Sequence, residues 1–271
     1  PYIVYQDKGN NWMAIVKKFN GTNWETAGSS AASIGRAFYT SIAFDGTVPY
    51  VVSQDEGNAN KATVQKLNDN TWEVVGTVGI AFPAWGHTSL AYDGLTPYVT
   101  YVDNEKGSQT IVKKFNGSTW EVVGSEDFSG PSGNPIIAIN GSVPYVAYMD
   151  WANEGRLTAQ KFNGTSWEPV GNAGFSGMAP QSITLAFSGS TPYIAYFDDE
   201  EYEGKSMVHR FNGTSWELVG ENGASAGYSA YTFLAISGST PYIAYQDLMN
   251  GAKTTVRKFN GTEWETVGQE G

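Results

Sequence analysis

Six aspartates recur at regular intervals, and their residue type and spacing could serve chemistry. Each one ends a short apolar and aromatic segment that begins with Pro-Tyr. They are Asp7, Asp55, Asp103, Asp150, Asp198 and Asp247. Brought together, they could hold a cation or act as acid and base. Singly, each could cap the following loop by accepting backbone N–H groups. Sixfold repetition favours the cap, because one asymmetric ligand rarely needs six identical groups.

A run of acidic residues interrupts this regular pattern at positions 198–203. Three of its members, Asp198, Asp199 and Glu201, are candidate ligands for a weakly bound Ca²⁺ ion. The run lacks the spacing and the glycine of a helix-loop-helix calcium loop, so a solvated loop is the alternative. No other cofactor is indicated.

Aromatic residues in otherwise polar loops form a second candidate set. An aromatic ring can stack on the C–H face of a sugar while neighbouring amides and carboxylates bind its hydroxyls. The alternative is that these rings fill the space between repeats. Trp12, Trp151 and Tyr202 are the strongest candidates for exposure, because they interrupt polar segments. The full set is Trp12, Phe38, Tyr39, Trp85, His87, Trp151, Tyr202, Tyr228 and Tyr231.

Composition excludes several classes of function. The net charge is −11 and there are 2 His and no Cys. A nucleic-acid partner is not expected, since the phosphate backbone would be repelled. A thiol nucleophile and disulfides are excluded. The sequence has no apolar run of the length that a membrane-spanning helix needs, so no membrane span is expected.

The elements that position these residues follow a repeat. A tryptophan recurs at positions 24, 72, 120, 167, 216 and 264. A period of about 48 residues indicates a repeat architecture. Each repeat holds four strand candidates in the order A (SLAxxG), B (PYxxYxD), C (xVKKF) and D (WExVG), and no segment predicts a helix. We predict a single domain, 1–271, with repeats of approximately 1–28, 29–76, 77–124, 125–171, 172–220 and 221–268.

The C and D strands form a hairpin written nearly identically six times, as in KFNGTSWEPVG at 161–171. If Phe162 faces Trp167, then Lys161 faces Glu168, and the other five copies repeat this basic and acidic pairing. Asn-Gly supplies the positive φ of the turn. The motif is therefore a device that fixes the strand register.

Six small sheets, each with a face too apolar for water, must stack on one another, and radial stacking gives a β-propeller. On the PYxxYxD and FNGTSW motifs the chain resembles six-bladed β-propellers of bacterial extracellular and lectin-type proteins, and the hairpin is similar to an Asp-box hairpin. The resemblance implies an all-β fold of four-stranded antiparallel blades. Strand A occurs only five times, so the first blade lacks its inner strand. Three explanations remain open: a longer chain, a strand donated by a neighbouring subunit, or a tolerated gap.

The two ends of the blades differ in sequence. A–B and C–D turns share one end, called here the turn end, and are monotonous. B–C loops and D–A crossings share the other, called here the variable end, and differ from blade to blade. Diverse loops on a fixed scaffold indicate that the variable end carries recognition.

Three functions are compatible with this pattern. The first is a non-catalytic recognition module that is extracellular or on the cell surface and binds a glycan or another cell-surface ligand. The second is a structural protein that assembles through the open inner edge of blade one. The third is a glycoside-cleaving enzyme that uses carboxylates of the variable end. Sialidase-like propellers use three arginines, and this chain has four in all, of which Arg210 and Arg257 belong to the hairpin region. No catalytic residue is assigned, and the balance favours binding.

Overall fold

The computed structural model of the protein describes residues 1–80 and 87–270. Their regular structure consists of strands and short 3-10 turns, arranged as six antiparallel sheets, one per repeat. The strands are β1 (Tyr2–Asp7), β2 (Met13–Phe19) and β3 (Trp24–Thr26) in sheet 1; β4 (Ala37–Asp45), β5 (Val48–Asp55), β6 (Lys61–Asn68) and β7 (Thr71–Val74) in sheet 2; β8 (Ser89–Tyr92), β9 (Pro97–Asp103), β10 (Gln109–Phe115) and β11 (Trp120–Val122) in sheet 3; β12 (Ser132–Asn140), β13 (Val143–Asp150), β14 (Arg156–Phe162) and β15 (Trp167–Pro169) in sheet 4; β16 (Gln181–Ser188), β17 (Thr191–Asp198), β18 (Lys205–Phe211) and β19 (Trp216–Leu218) in sheet 5; and β20 (Ser229–Ser237), β21 (Thr240–Asp247), β22 (Lys253–Phe259) and β23 (Trp264–Thr266) in sheet 6.

The predicted all-β architecture is confirmed, including the three-stranded first sheet. Within the described residues no helix is long and apolar enough to cross a bilayer. The chain contacts group into two compact units, one of residues 1–143 with 164–166 and one of residues 144–163 with 167–271. The prediction of a single domain therefore stays a prediction.

The core of each unit lies where the B and C strands of one sheet pack against those of the next. In the first unit, Val52 and Val64 of sheet 2 share a buried cluster with Val99 and Ile111 of sheet 3. In the second unit, Ala195 and Val208 of sheet 5 share one with Ile243 of sheet 6. Both faces of an inner sheet are thereby covered, which explains why the B strands read as continuous apolar runs.

The six aspartates that close the B strands act as caps, as the repetition indicated. Each accepts a hydrogen bond from the backbone N–H two residues later, at the start of the B–C loop. In five blades that loop opens with a 3-10 turn: Lys8–Asn10, Glu56–Asn58, Asn104–Lys106, Trp151–Asn153 and Leu248–Asn250. Asp55 does more, since its carboxylate also accepts from Ile34 N and Gly35 N in the preceding crossing. These carboxylates are therefore engaged in holding the loops of the variable end.

The predicted hairpin register is confirmed in all six blades, with each basic residue opposite its glutamate. The glutamate, however, bonds mainly to a different partner. In every copy the asparagine of the turn donates its side-chain amide to the glutamate five residues later. Among the described hairpin pairs, only Arg210–Glu217 at 3.5 Å and Lys258–Glu265 at 3.9 Å come within ion-pair distance. The side chain of the asparagine thus binds the glutamate, and in several copies it also stabilises the turn by accepting hydrogen bonds from the backbone of the turn.

Four of the tryptophans that follow these turns dock on the preceding sheet. The indole N–H of Trp72 donates to Ala27 O at 3.0 Å, and that of Trp120 donates to Val75 O at 2.9 Å. In the second unit, Trp216 and Trp264 make the equivalent bonds to Val170 O at 2.7 Å and Val219 O at 2.8 Å. The motif therefore fixes the hairpin and joins one sheet to its neighbour within each unit.

Candidate functional site

Three of the predicted ligand-binding residues, Phe38, Tyr39 and His87, line one cavity in the first unit. Its volume is about 560 Å³, and it lies at the variable end of sheets 2 and 3. Gln54, Glu56, Asn60 and Asn134 complete its lining. Two rings are in close contact, since the centroids of Tyr39 and His87 are 4.6 Å apart, and the ring of Phe38 lies 6.5 Å from that of Tyr39.

A β-bulge in the inner strand aims these side chains. In sheet 2 the pairing shifts between Phe38 and Ser41, so that two residues of β4 oppose one of β5. Tyr39 takes a φ of 50° there, a left-handed conformation that is rare for a bulky residue and is typical of functional sites. The carbonyl oxygen of Tyr39 accepts a 2.6 Å bond from the Thr88 hydroxyl of the next sheet. The pairing of β4 with β5 and this hydrogen bond from Thr88 hold the strained Tyr39 in place.

The same repeat position recurs from blade to blade. His87 stands two residues before Ser89, as Tyr39 stands two residues before Ser41. Asn134 occupies the equivalent place in sheet 4, with a φ of 47°. One repeat position therefore supplies a phenol, an imidazole and an amide to one cavity. The second unit uses the same position for Ser182 and Tyr231, with φ values of 52° and 50°.

The lining combines aromatic and polar groups. Gln54 is only 4% exposed, whereas Glu56 is exposed. Although His87 is exposed as a residue, desolvation lowers the pKa of its imidazole. A neutral imidazole can both donate and accept a hydrogen bond. The cavity can therefore offer ring faces, amide donors and acceptors, and one carboxylate to a small polar ligand.

The sequence did not single out Gln54, Glu56, Asn60 or Asn134. Gln54 has the same residue type as Gln6 and Gln246 at the equivalent position of their B strands, so it read as part of the repeat. Glu56 and Asn60 belong to a loop whose composition is that of any solvated loop. Asn134 carried a usable signal, because aligning the five A strands places it beside Tyr39 and His87.

The other predicted aromatic residues lie outside this lining. Trp12 is 38% exposed, and the guanidinium of Arg36 lies 5.5 Å from the centroid of its ring. The same guanidinium lies 4.7 Å from the ring centroid of Phe38. Trp85 falls outside the described residues. In the second unit Trp151 is 53% and Tyr231 is 77% exposed, which agrees with the expectation of exposure for Trp151.

Tyr202 and Tyr228 pack among the acidic residues of sheet 5. Tyr202 is half-buried, in contrast with the exposure that its polar loop suggested, because its ring lies against Gly177 in the preceding crossing. Tyr228 is 41% exposed, and its hydroxyl donates to Asp199 Oδ1 at 2.6 Å, a bond that raises the pKa of the phenol. Its ring meets Phe197 edge-on at 5.9 Å.

The three candidate calcium ligands engage three different partners. Asp198 caps its own loop through Glu200 N, Glu201 N and Tyr202 N. Asp199 accepts from Tyr228, and Glu201 pairs with Arg156. Within the part of the chain that the structure describes, no three His, Asp or Glu side chains are grouped so that they could hold a metal ion. The calcium site stays a prediction that this geometry does not favour.

Six antiparallel blades along one chain, five of four strands and the first of three, define the class of the protein as a six-bladed β-propeller. Solved structures agree. The lectin of Aleuria aurantia, described with a six-bladed β-propeller fold and a fucose recognition mode, matches with a TM-score of 0.60 and 15% identity over 98% of this chain and 89% of its own. A point mutant of that lectin in complex with Fucα1-6GlcNAc matches with a TM-score of 0.59 and 14% identity over 98% of this chain and 90% of its own.

An enzyme shares the fold as well. Trypanosoma rangeli sialidase, in complex with the inhibitor DANA, matches with a TM-score of 0.54 and 12% identity over 97% of this chain, which spans 50% of the sialidase chain. No protein-family model and no curated protein matches the sequence. At these identities the likeness establishes the fold, and the function has to be argued from the site.

Proposed function

We propose that the protein is a non-catalytic recognition module that binds a neutral saccharide in the cavity lined by Tyr39, His87 and Asn134. The observation that carries the proposal is the lining itself, in which aromatic rings stand beside amide groups at the end of the blades where the loops vary. We further propose that the protein acts outside the cell or at its surface, where glycans are displayed. Fractionation of the source cells tests the location.

The chemistry of the lining fits a sugar without a formal charge. A pyranose can lay its C–H face on the Tyr39 ring, where apolar contact contributes most. Its hydroxyls then meet amides that both donate and accept, from Asn60 and Asn134. The one carboxylate of this lining, Glu56, accepts from hydroxyls and disfavours a ligand that carries its own negative charge.

The carboxylates near the cavity favour binding over glycoside cleavage. Hydrolysis of a glycosidic bond in the usual way needs two carboxyl groups about 5–9 Å apart across one site. Glu56 is the single acid in the described lining. Its neighbour Asp55 is fully buried and accepts from Ile34 N, Gly35 N and Gly57 N, so its oxygens are directed to the backbone.

Fucosylated glycans are the first ligands to test, because the lectin that shares this fold is described with fucose recognition and with bound Fucα1-6GlcNAc. A glycan array on the purified protein, followed by calorimetric titration of the best ligand, gives the specificity and the affinity. Failure to bind any neutral glycan on a broad array would contradict the proposal.

Replacing Tyr39 with alanine is expected to weaken saccharide binding about tenfold or more, because the variant loses the ring on which the sugar stacks. The matched control is Tyr231→Ala, which removes the same side chain at the same bulge position of sheet 6, where it is 77% exposed and lies outside the cavity. Calorimetry on both variants checks the result, and equal affinities for the two would place the sugar elsewhere.

Glu56→Gln separates binding from cleavage. If the cavity only binds, this variant keeps saccharide affinity within a few-fold, because glutamine still accepts a hydrogen bond. If the protein cleaves glycosides, the wild type turns over a member of an aryl-glycoside panel and Glu56→Gln does not.

Assembly through sheet 1 is a second candidate function, favoured by one observation. Ile3 on β1 is 44% exposed, whereas its repeat equivalents Val51, Val99 and Ile194 are fully buried. An open apolar strand edge is a site for pairing with another chain, here a second copy. Sedimentation velocity across a hundredfold concentration range, compared with Ile3→Lys, tests it, and a concentration-independent monomer would exclude it.

A further inference from the structure

A second cavity is a groove at the turn end of sheets 4 and 5, in the second unit. Its volume is about 880 Å³. One wall carries Tyr145 and Lys161 of sheet 4, and the other carries Tyr193, Arg210, Asn212 and Thr214 of sheet 5. The groove is distinct from the saccharide cavity, which lies in the first unit and at the variable end.

The charge of this lining is opposite to that of the protein. The chain has 27 acidic residues against 16 basic ones, yet the residues that line the groove include Lys161 and Arg210 and no carboxylate. The lining thus has a formal charge of +2, whereas the whole chain has a net charge of −11. The positive charge of the groove is therefore a local property that the overall composition does not explain.

The hairpin leaves both cations available. Lys161 stands opposite Glu168, but Glu168 accepts its hydrogen bond from the Asn163 amide, and Lys161 has no ion pair among the described residues. Arg210 does form an ion pair with Glu217, at 3.5 Å, but the Arg210 side chain stays 51% exposed and can still contact a ligand. Because the turn asparagine binds the glutamate, the cation of each hairpin can be directed to a ligand in the groove.

The arrangement repeats one blade further along the second unit. A smaller groove of about 330 Å³ is lined by Arg210, Lys258, Tyr193, Tyr242 and Asn260, which are the repeat equivalents of residues in the first groove. Arg210 and Tyr193 border both grooves. A ligand with more than one acidic group can therefore contact three cations in a row, Lys161, Arg210 and Lys258.

We propose that these grooves bind an acidic saccharide, whose carboxylate or sulfate groups pair with Lys161 and Arg210 while its ring packs on Tyr145. Guanidinium and ammonium groups form the stronger, charge-assisted hydrogen bonds to such anions. The hydroxyls of the saccharide meet the exposed Asn212 and Thr214. This site does not depend on the proposed saccharide cavity. The groove favours a negatively charged saccharide, whereas the cavity favours a neutral one.

Calorimetric titration of the whole chain with three tetrasaccharides tests the proposal. Hyaluronan tetrasaccharide carries carboxylates alone, chondroitin sulfate tetrasaccharide adds sulfates, and chitotetraose is neutral. We expect saturable binding of at least one acidic probe, at least tenfold tighter than that of chitotetraose and several-fold weaker at 300 mM than at 50 mM NaCl. Equal affinities for the two acidic probes would show that carboxylates suffice, and tighter binding of chondroitin sulfate would show that sulfates add to the affinity.

The variant Lys161→Gln/Arg210→Gln is expected to weaken the binding of acidic probes at least tenfold. The charge-matched control, Lys8→Gln/Lys106→Gln, removes two cations from B–C loops at the other end of the blades and should leave the affinity within twofold. Unchanged melting temperatures show that both variants fold, and Tyr39→Ala should leave this binding intact. No saturable binding of either acidic probe, equal binding of chitotetraose, or equal affinities of the two double variants would overturn the proposal.

Discussion

Replacing Trp216 with alanine is expected to lower the free energy of unfolding by about 3–5 kcal/mol, the range for removing a buried Trp or Phe. Trp216 is 8% exposed and its indole stacks on Phe175, with ring centroids 4.5 Å apart and planes 14° apart. Its N–H donates to Val170 O at 2.7 Å, so the substitution also leaves that carbonyl without its donor. Truncation opens a cavity at the point where sheet 5 docks on sheet 4.

Urea denaturation followed by far-ultraviolet circular dichroism measures this loss, and two variants separate its causes. Trp24→Ala is the matched control, because Trp24 holds the same hairpin position but is 44% exposed, and we expect it to cost less than about half as much. Trp216→Phe keeps a ring and loses only the N–H, which should cost about 1 kcal/mol beyond the change in packing. Equal losses for Trp216→Ala and Trp24→Ala would contradict the docking role.

Acid is expected to destabilise the protein through His209. This residue is 5% exposed, its ring stacks on Tyr196 at 5.7 Å, and Phe175 meets it edge-on at 5.8 Å. Desolvation lowers the pKa of its imidazole to about 4, and Nδ1 has no hydrogen-bond partner among the described residues. An unfolded histidine has a pKa of about 6.5, so between these values the unfolded chain takes up a proton that the folded chain does not. The contribution of neutral His209 is complete above pH 6.5 and is lost as the pH falls towards 4.

The size of this effect follows from linkage. Each unit of pKa difference corresponds to about 1.4 kcal/mol, so the free energy of unfolding should fall by about 3 kcal/mol between pH 6.5 and pH 4 on account of His209 alone. His209→Gln should flatten this part of the profile. Glutamine suits the position, because the repeat equivalent Gln160 donates to the Tyr148 hydroxyl at 2.6 Å.

Urea unfolding at half-unit steps from pH 4.5 to 7.5 checks this prediction, in a range where most carboxylates keep their charge. His87→Gln is the control, since it removes the other histidine, whose pKa is lowered less strongly than that of His209. We expect His87→Gln to retain most of the slope. A profile for His209→Gln that is as steep as that of the wild type would assign the acid sensitivity to other groups.

Most of the fold could be predicted because the sequence motif of one blade recurs six times. The alternation of B, C and D strands and the face-to-face residues of the hairpin, such as Lys161 and Glu168, are local and periodic, and the structure confirms them. The hydrogen bond from the turn asparagine to the glutamate was missed, because directly opposed residues were compared and Asn163 reaches along the hairpin instead.

The site could be predicted only in part. Phe38, Tyr39 and His87 stood out as aromatic residues in variable segments, and they do share a cavity. Their convergence could not be read from the sequence, because it depends on a bulge with a left-handed backbone conformation. A glycine at that position would have indicated such a conformation, but the position holds tyrosine or asparagine. Gln54 was hidden for a different reason, since Gln6 and Gln246 hold the same position in their B strands and the residue reads as part of the repeat.

The conformation at Tyr39 has a consequence for diversification. Since strand pairing on both sides imposes the left-handed geometry, the backbone there accepts a tyrosine, an asparagine or a serine alike, as Tyr39, Asn134 and Ser182 show. The side chain at that point can therefore vary while the strand pairing stays the same. Gene copies of such a propeller could exchange ligand preference one blade at a time by single-codon changes, with the scaffold unaltered.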